Sequence, residues 1–90
     1  MKKKDYAGIS AIIKALSHPA RVEIIDRLEE NGCNVSKIQR NLGLPQSTIS
    51  QHLKILKNAG IISSRREGTK VCYKIEIEEA RSIIRMLGKM

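Results

Sequence analysis

NVSKIQRNLGLPQSTISQHLKILKNAG, residues 34–60, reads as two helices joined by a tight turn. The first runs from about Val35 to Leu42, with Asn34 as N-cap, since a short polar side chain there satisfies an open backbone N–H. Gly43 follows as the left-handed stop residue, where a Cβ is costly. Leu44 leads to Pro45, which suits the first position of a new helix because its missing N–H has no helical partner to lose. That second helix continues to about Asn58, with Gly60 just beyond its end.

The faces of the second helix differ. Ile49, Leu53 and Leu56 recur at spacings of four and three and so share one side. Ser47, Gln51, Lys54 and Asn58 share another, flanked near the N-terminal end by Thr48 and Ser50. Ser, Thr and Gln are uncharged, yet each donates and accepts hydrogen bonds. No acidic residue lies between Pro45 and Gly60. A helix that needs only solubility usually carries Glu and Lys in i,i+4 pairs. Neutral hydrogen-bonding groups at the tip with lysines behind fit a helix whose N-terminal end enters a DNA major groove while its flanks meet phosphates. The bland alternative is an ordinary solvated face.

Composition narrows the partners. The 90-residue chain, read as a single domain over 1–90, has 17 basic and 9 acidic residues, a net charge of +8. That balance favours a polyanion, nucleic acid first and a membrane surface second. No apolar run approaches the ~20 residues of a spanning helix. The basic start is followed by Asp5, Ser10 and Lys14, which interrupt any signal-peptide core. A soluble cytoplasmic protein is expected. Tyr6 and Tyr73 are its aromatic residues, so the core must come from Ile, Leu, Val and Ala. A core that small favours an oligomer. Two cysteines do not make a disulfide scaffold, and in a reducing cytosol they default to free thiols.

MKKKD and on to about residue 7 reads as a frayed basic tail. Ile9, Ile12, Ile13 and Leu16 then match the amphipathic helix template. Pro19 disfavours helical geometry at His18 and opens a new helix, which runs to about Glu30 before Asn31-Gly32. Cys33 to Val35 is expected to add one short strand pairing. After Gly60 the period changes. Residues 61–66 and 70–75 read as two strands around Glu67-Gly68-Thr69, with Val71, Tyr73 and Ile75 on the buried face. This hairpin is a wing whose basic residues, Arg65, Arg66 and Lys70, would lie over sugar–phosphate backbone or an adjacent minor groove. Its alternative is a solubilising charge cluster on a turn. A last helix spans about Glu78 to Gly88, with Ala80, Ile83, Ile84 and Leu87 again at helical spacing. The fold expected is mainly α with a small antiparallel β wing: a winged helix-turn-helix. Both end helices carry an apolar side that so small an interior cannot absorb. They are expected to pack against their counterparts in a twofold dimer, the alternative being closure over one monomeric core. Such a dimer presents two recognition helices to half-sites about one helical turn apart, hence to a pseudo-palindromic operator.

Over roughly residues 9–88 the chain resembles the ArsR/SmtB family of dimeric winged-helix repressors. The resemblance rests on ALSHPARVEIIDRL at 15–28, LPQSTISQHLKILKNAGII at 44–62 and RREGTKVCYKI at 65–75. It implies that Gln46, Ser47, Thr48, Ser50, Gln51 and His52 lie at or near DNA, with Lys54 behind them and Arg65, Arg66 and Lys70 on the wing. It also implies repression that an effector relieves. The family's metal sites are not matched. Its Cys-x-Cys falls on Asn34 and Ser36, preceded by a lone Cys33, and thiolates are what soft metals need. The last helix has no His, only Glu78 and Glu79, and neither that helix nor the second contains the cysteine of persulfide-sensing relatives. No metal site or cofactor is expected. By the family's topology the strand before the helix-turn-helix pairs with the second wing strand, which would bring Cys33 near Cys72. A Cys33–Cys72 disulfide could then shift the wing relative to the recognition helix; otherwise each thiol is a small apolar filler.

His18 and His52 fall in different elements without a ligand set at metal spacing, and no catalytic triad, carboxylate pair or phosphate-binding loop is present, so an enzyme is not expected. The leading function is a homodimeric, sequence-specific DNA-binding repressor. The alternatives are a winged-helix module that docks an acidic protein, and an architectural DNA binder without sequence preference.

Overall fold

A computed structural model describes residues 4–28, 31–33 and 35–90. Among them are five helices, α1 (Tyr6–Leu16), α2 (Pro19–Arg27), α3 (Val35–Leu42), α4 (Gln46–Asn58) and α5 (Glu78–Leu87), and three strands, β1 (Asn31–Gly32), β2 (Ile62–Glu67) and β3 (Lys70–Ile75). The sheet order is β1-β3-β2, antiparallel throughout. This is the winged helix-turn-helix that the periodicities indicate. No helix among the described residues is long and apolar enough to cross a membrane.

Boundaries follow local chemistry. α1 starts inside the stretch that the sequence assigns to a tail, because the Asp5 carboxylate accepts from Gly8 N–H at 2.9 Å and caps it. His18 caps α2 through Nδ1, which accepts from Ala20 N–H at 3.0 Å. α2 ends at Arg27, short of the expected Glu30, with Leu28 as C-cap. Pro45 is the N-cap of α4 rather than its first residue, being extended at ψ 149. Gly43 and Gly60 hold φ of 65° and 77°, as their stop positions require. At Gly60 the closure is a full Schellman motif: Gly60 N–H donates to Lys57 O at 2.9 Å and Ile61 N–H to Leu56 O at 3.1 Å. The N-cap expected at Asn34 lies outside the described residues.

The core is aliphatic, as the scarcity of aromatics demands. Ile24 and Ile25 of α2, Ile49 and Leu56 of α4, and Ile61 and Ile62 at the start of the wing are essentially fully buried. Each contributes roughly 1.5–3 kcal/mol by leaving water. α1 packs on α2 and α4, and α5 packs on α2. α1 turns Ile12, Ala15 and Leu16 inward but leaves Tyr6, Ile9 and Ile13 in solvent; α5 buries Ala80 and exposes Ile83, Met86 and Leu87.

Two details of the sheet depart from expectation. The strand before the helix-turn-helix is Asn31–Gly32, earlier than Cys33–Val35, and it pairs Asn31 with Lys74 and Gly32 with Tyr73. In β3 the simple alternation breaks: Cys72 is buried and Val71 exposed. Val71 lies beyond the end of β1, whereas Cys72 is covered by its bond to Cys33.

Candidate nucleic-acid interface

Ile49, Leu53 and Leu56 pin α4 to the core, which fixes the opposite side outward. Gln46, Ser47, Ser50, Gln51 and Lys54 are exposed and Thr48 is half-buried near the N-terminal end. Six of the seven polar positions expected on this helix therefore lie on or beside one open face. The seventh is a correction. His52 is only 8% exposed and points toward α2, not outward. It follows Gln51 by one residue and so turns about 100° around the helix, onto the packed side.

What holds His52 was not legible in the pattern. Its ring lies 4.5 Å from that of His18, centroid to centroid. The Arg21 guanidinium donates to His52 Nδ1 at 3.3 Å and to Ala15 O at 2.6 Å. One arginine of α2 thus ties the end of α1 to α4. Burial, then the charges of His18 and Arg21, hold His52 below the ordinary histidine range. An accepting Nδ1 implies the neutral ring protonated at Nε2. A second arginine, Arg81 of α5, is as buried as His52 and donates to Leu28 O, satisfying a carbonyl at the end of α2.

The wing stands beside the open face of α4. Its tip is a two-residue turn, Gly68-Thr69, closing the Glu67–Lys70 pair. Gly68 has φ 62° and Thr69 does not, the pattern of a type II′ turn, which matches strand twist. Arg65, Arg66 and Lys70 are all exposed. Arg65 Nε contacts Glu67 Oε1 at 2.9 Å, while Arg66 and Lys70 form no ion pair among the described residues. A groove of about 480 Å³ separates helix from wing, with Gln46 and Ser50 on one wall, Lys70 and Val71 on the other, and Cys33 between.

Cys33 and Cys72 are joined, their Cα atoms 4.1 Å apart. The register explains it: Gly32 faces Tyr73, so the next residue of one strand faces the preceding residue of the other. The arrangement offers an uncharged hydrogen-bonding helix tip, a basic wing on one side of it, and a covalent tie between the wing and the segment entering α3.

Residues 18–64 match the family described as bacterial regulatory protein, arsR family. The chain is 42% identical to an HTH-type transcriptional regulator of Methanocaldococcus jannaschii, over 97% of this chain and 99% of that protein. It is 32% identical to the biofilm growth-associated repressor of Agrobacterium fabrum, over 94% of this chain and 73% of that one. Reduced HlyU from Vibrio cholerae superposes with a TM-score of 0.78 at 28% identity, covering 92% of this chain and 87% of that one. A homodimeric winged helix-turn-helix DNA-binding domain from Mycobacterium bovis gives 0.73 at 27%, covering 98% and 87%. The chain belongs to the ArsR family of bacterial regulatory proteins and is a winged helix-turn-helix transcriptional regulator.

Proposed function

We propose that the protein is a homodimeric repressor that reads a pseudo-palindromic operator through α4 and grips the flanking backbone through the wing. The observation that carries this reading is the open face of α4: Gln46, Ser47, Ser50 and Gln51 are exposed, uncharged and free of any acidic neighbour on the helix. A protein-docking face of the same size would carry aromatics or leucines there. Gln51 and the serines would contact base edges; Lys54, Arg66 and Lys70 would contact phosphate. His52 is excluded from that set by its burial.

Dimerisation is supported by the apolar residues that the fold leaves in water, Tyr6, Ile9 and Ile13 on α1 and Ile83, Met86 and Leu87 on α5. A twofold pairing of these helices would bury them and set two copies of α4 one helical turn apart. The Mycobacterium bovis relative is homodimeric. The thiol pair adds a switch. Two thiols close to a disulfide with loss of two protons and two electrons, taken by a peroxide or a small disulfide. The bond ties β3 of the wing to the segment entering α3, and its opening leaves that contact held by the Asn31–Lys74 and Gly32–Tyr73 pairings alone.

Fluorescence anisotropy on the protein's own upstream DNA against a scrambled duplex tests this, with reduced and oxidised protein. Selective binding that differs between redox states supports the switched repressor. Selective binding indifferent to oxidation retains the regulator and removes the switch. Equal binding to both duplexes refutes operator reading.

A further inference from the structure

We propose that the reduced protein binds a thiophilic divalent cation, zinc being the type, through Cys33, Cys72 and Glu67, near the turn of the wing. The observation is a convergence of donors that a disulfide alone does not require. One ligand-capable atom from each of the three residues lies within 4.8 Å of the other two. Cys72 is buried, Cys33 half-buried and Glu67 exposed, so the cluster runs from the sheet interior to the surface.

Glu67 is the informative member. Its Oε1 is held by Arg65 at 2.9 Å, while Oε2 faces Cys72 Sγ at 3.9 Å. It is the acidic residue of a hairpin whose other charged residues are Arg65, Arg66, Lys70 and Lys74. A carboxylate beside two thiols opposes their ionisation unless a cation joins them. With a cation present the same carboxylate becomes a ligand, and Arg65 becomes the group that orients it. Two sulfurs and one oxygen are a donor set suited to zinc, which takes Cys and carboxylate ligands in tetrahedral geometry. Three protein ligands leave a fourth position for water or another exogenous ligand. Binding releases the two thiol protons as the two metal–sulfur bonds form, without any change of oxidation state. Metal and disulfide therefore exclude one another: the same sulfurs hold the ion or each other. The site was invisible in the cysteine spacing because its third donor comes from the wing turn, which only the β2–β3 register places beside Cys72.

The test is cobalt(II) titration of the full chain, reduced under anaerobic conditions and without DNA, followed by zinc competition. The expected result is sulfur-to-cobalt charge transfer with the visible bands of tetrahedral cobalt, displaced by zinc. The oxidised protein, with its fold intact and its sulfurs consumed, should give no such spectrum. Glu67→Gln, at an exposed position, should keep the fold and weaken cobalt affinity by at least ~10-fold, the loss seen even for groups that only orient a metal ligand. Cys72→Ser should abolish the charge-transfer band. An unchanged affinity in Glu67→Gln overturns the three-donor site, and a spectrum without sulfur charge transfer overturns it outright. Because no DNA is present, neither outcome depends on whether the operator reading holds.

Discussion

Breaking the Cys33–Cys72 bond should lower stability by an amount that the topology sets. The bond closes a sequence separation of 39 residues. Chain-entropy reasoning for a loop of that length removes about 13 cal/mol/K from the unfolded ensemble, or about 4 kcal/mol at room temperature. The native side should change little, since the Asn31–Lys74 and Gly32–Tyr73 pairings hold β1 on β3 without the bond. For a chain of this size the effect corresponds to ~15–30 °C in melting temperature. The assay is guanidinium unfolding of oxidised and fully reduced protein at one fixed concentration, because association is linked to folding. Cys33→Ser serves as control and should be insensitive to reductant. A difference below about 1 kcal/mol, or an equal response in Cys33→Ser, would refute the argument that the bond acts by restricting the unfolded chain.

Three further outcomes follow from the same geometry. Gln51→Ala should cost about 1–3 kcal/mol on the cognate duplex and far less on random DNA, read by anisotropy; an equal loss on both removes Gln51 from base readout. Arg66→Ala should weaken binding to all sequences and flatten the salt slope by about one, and an unchanged slope means that the wing does not touch phosphate. His52 titrates below its ordinary value of 6.5 in the fold, so the unfolded chain takes up the proton first. Its contribution to stability is full above that value and is lost as pH falls toward the lowered folded value; His52→Gln should flatten urea-unfolding stability across that window, and an unaltered pH dependence places the titration elsewhere.

Much of this protein was legible in one dimension. Ile49, Leu53 and Leu56 at helical spacing named the buried side of α4, and by elimination the open side that carries Gln51 and Lys54. Gly43 and Gly60 marked helix ends, because only a residue without Cβ accepts the left-handed conformation cheaply. Such features depend on neighbours within one or two turns, so periodicity and stereochemistry determine them. The proximity of Cys33 to Cys72 was accessible only through likeness to a known topology, since nothing in a separation of 39 residues implies contact.

Contacts between distant elements were decided by tertiary structure alone. His18 and His52 look unrelated along the chain, yet the crossing of α2 and α4 brings their rings together at a tilt of 47° and lets Arg21 reach His52. Arg81 lies in the first half of α5, and the docking of α5 on α2 buries it against Leu28 O. Glu67 reads as a turn residue until the hairpin register brings its carboxylate to the sulfurs. Local sequence sets which face of each element is apolar. Which polar groups then meet depends on the angles and registers at which those faces pack, and these are properties of the whole assembled chain.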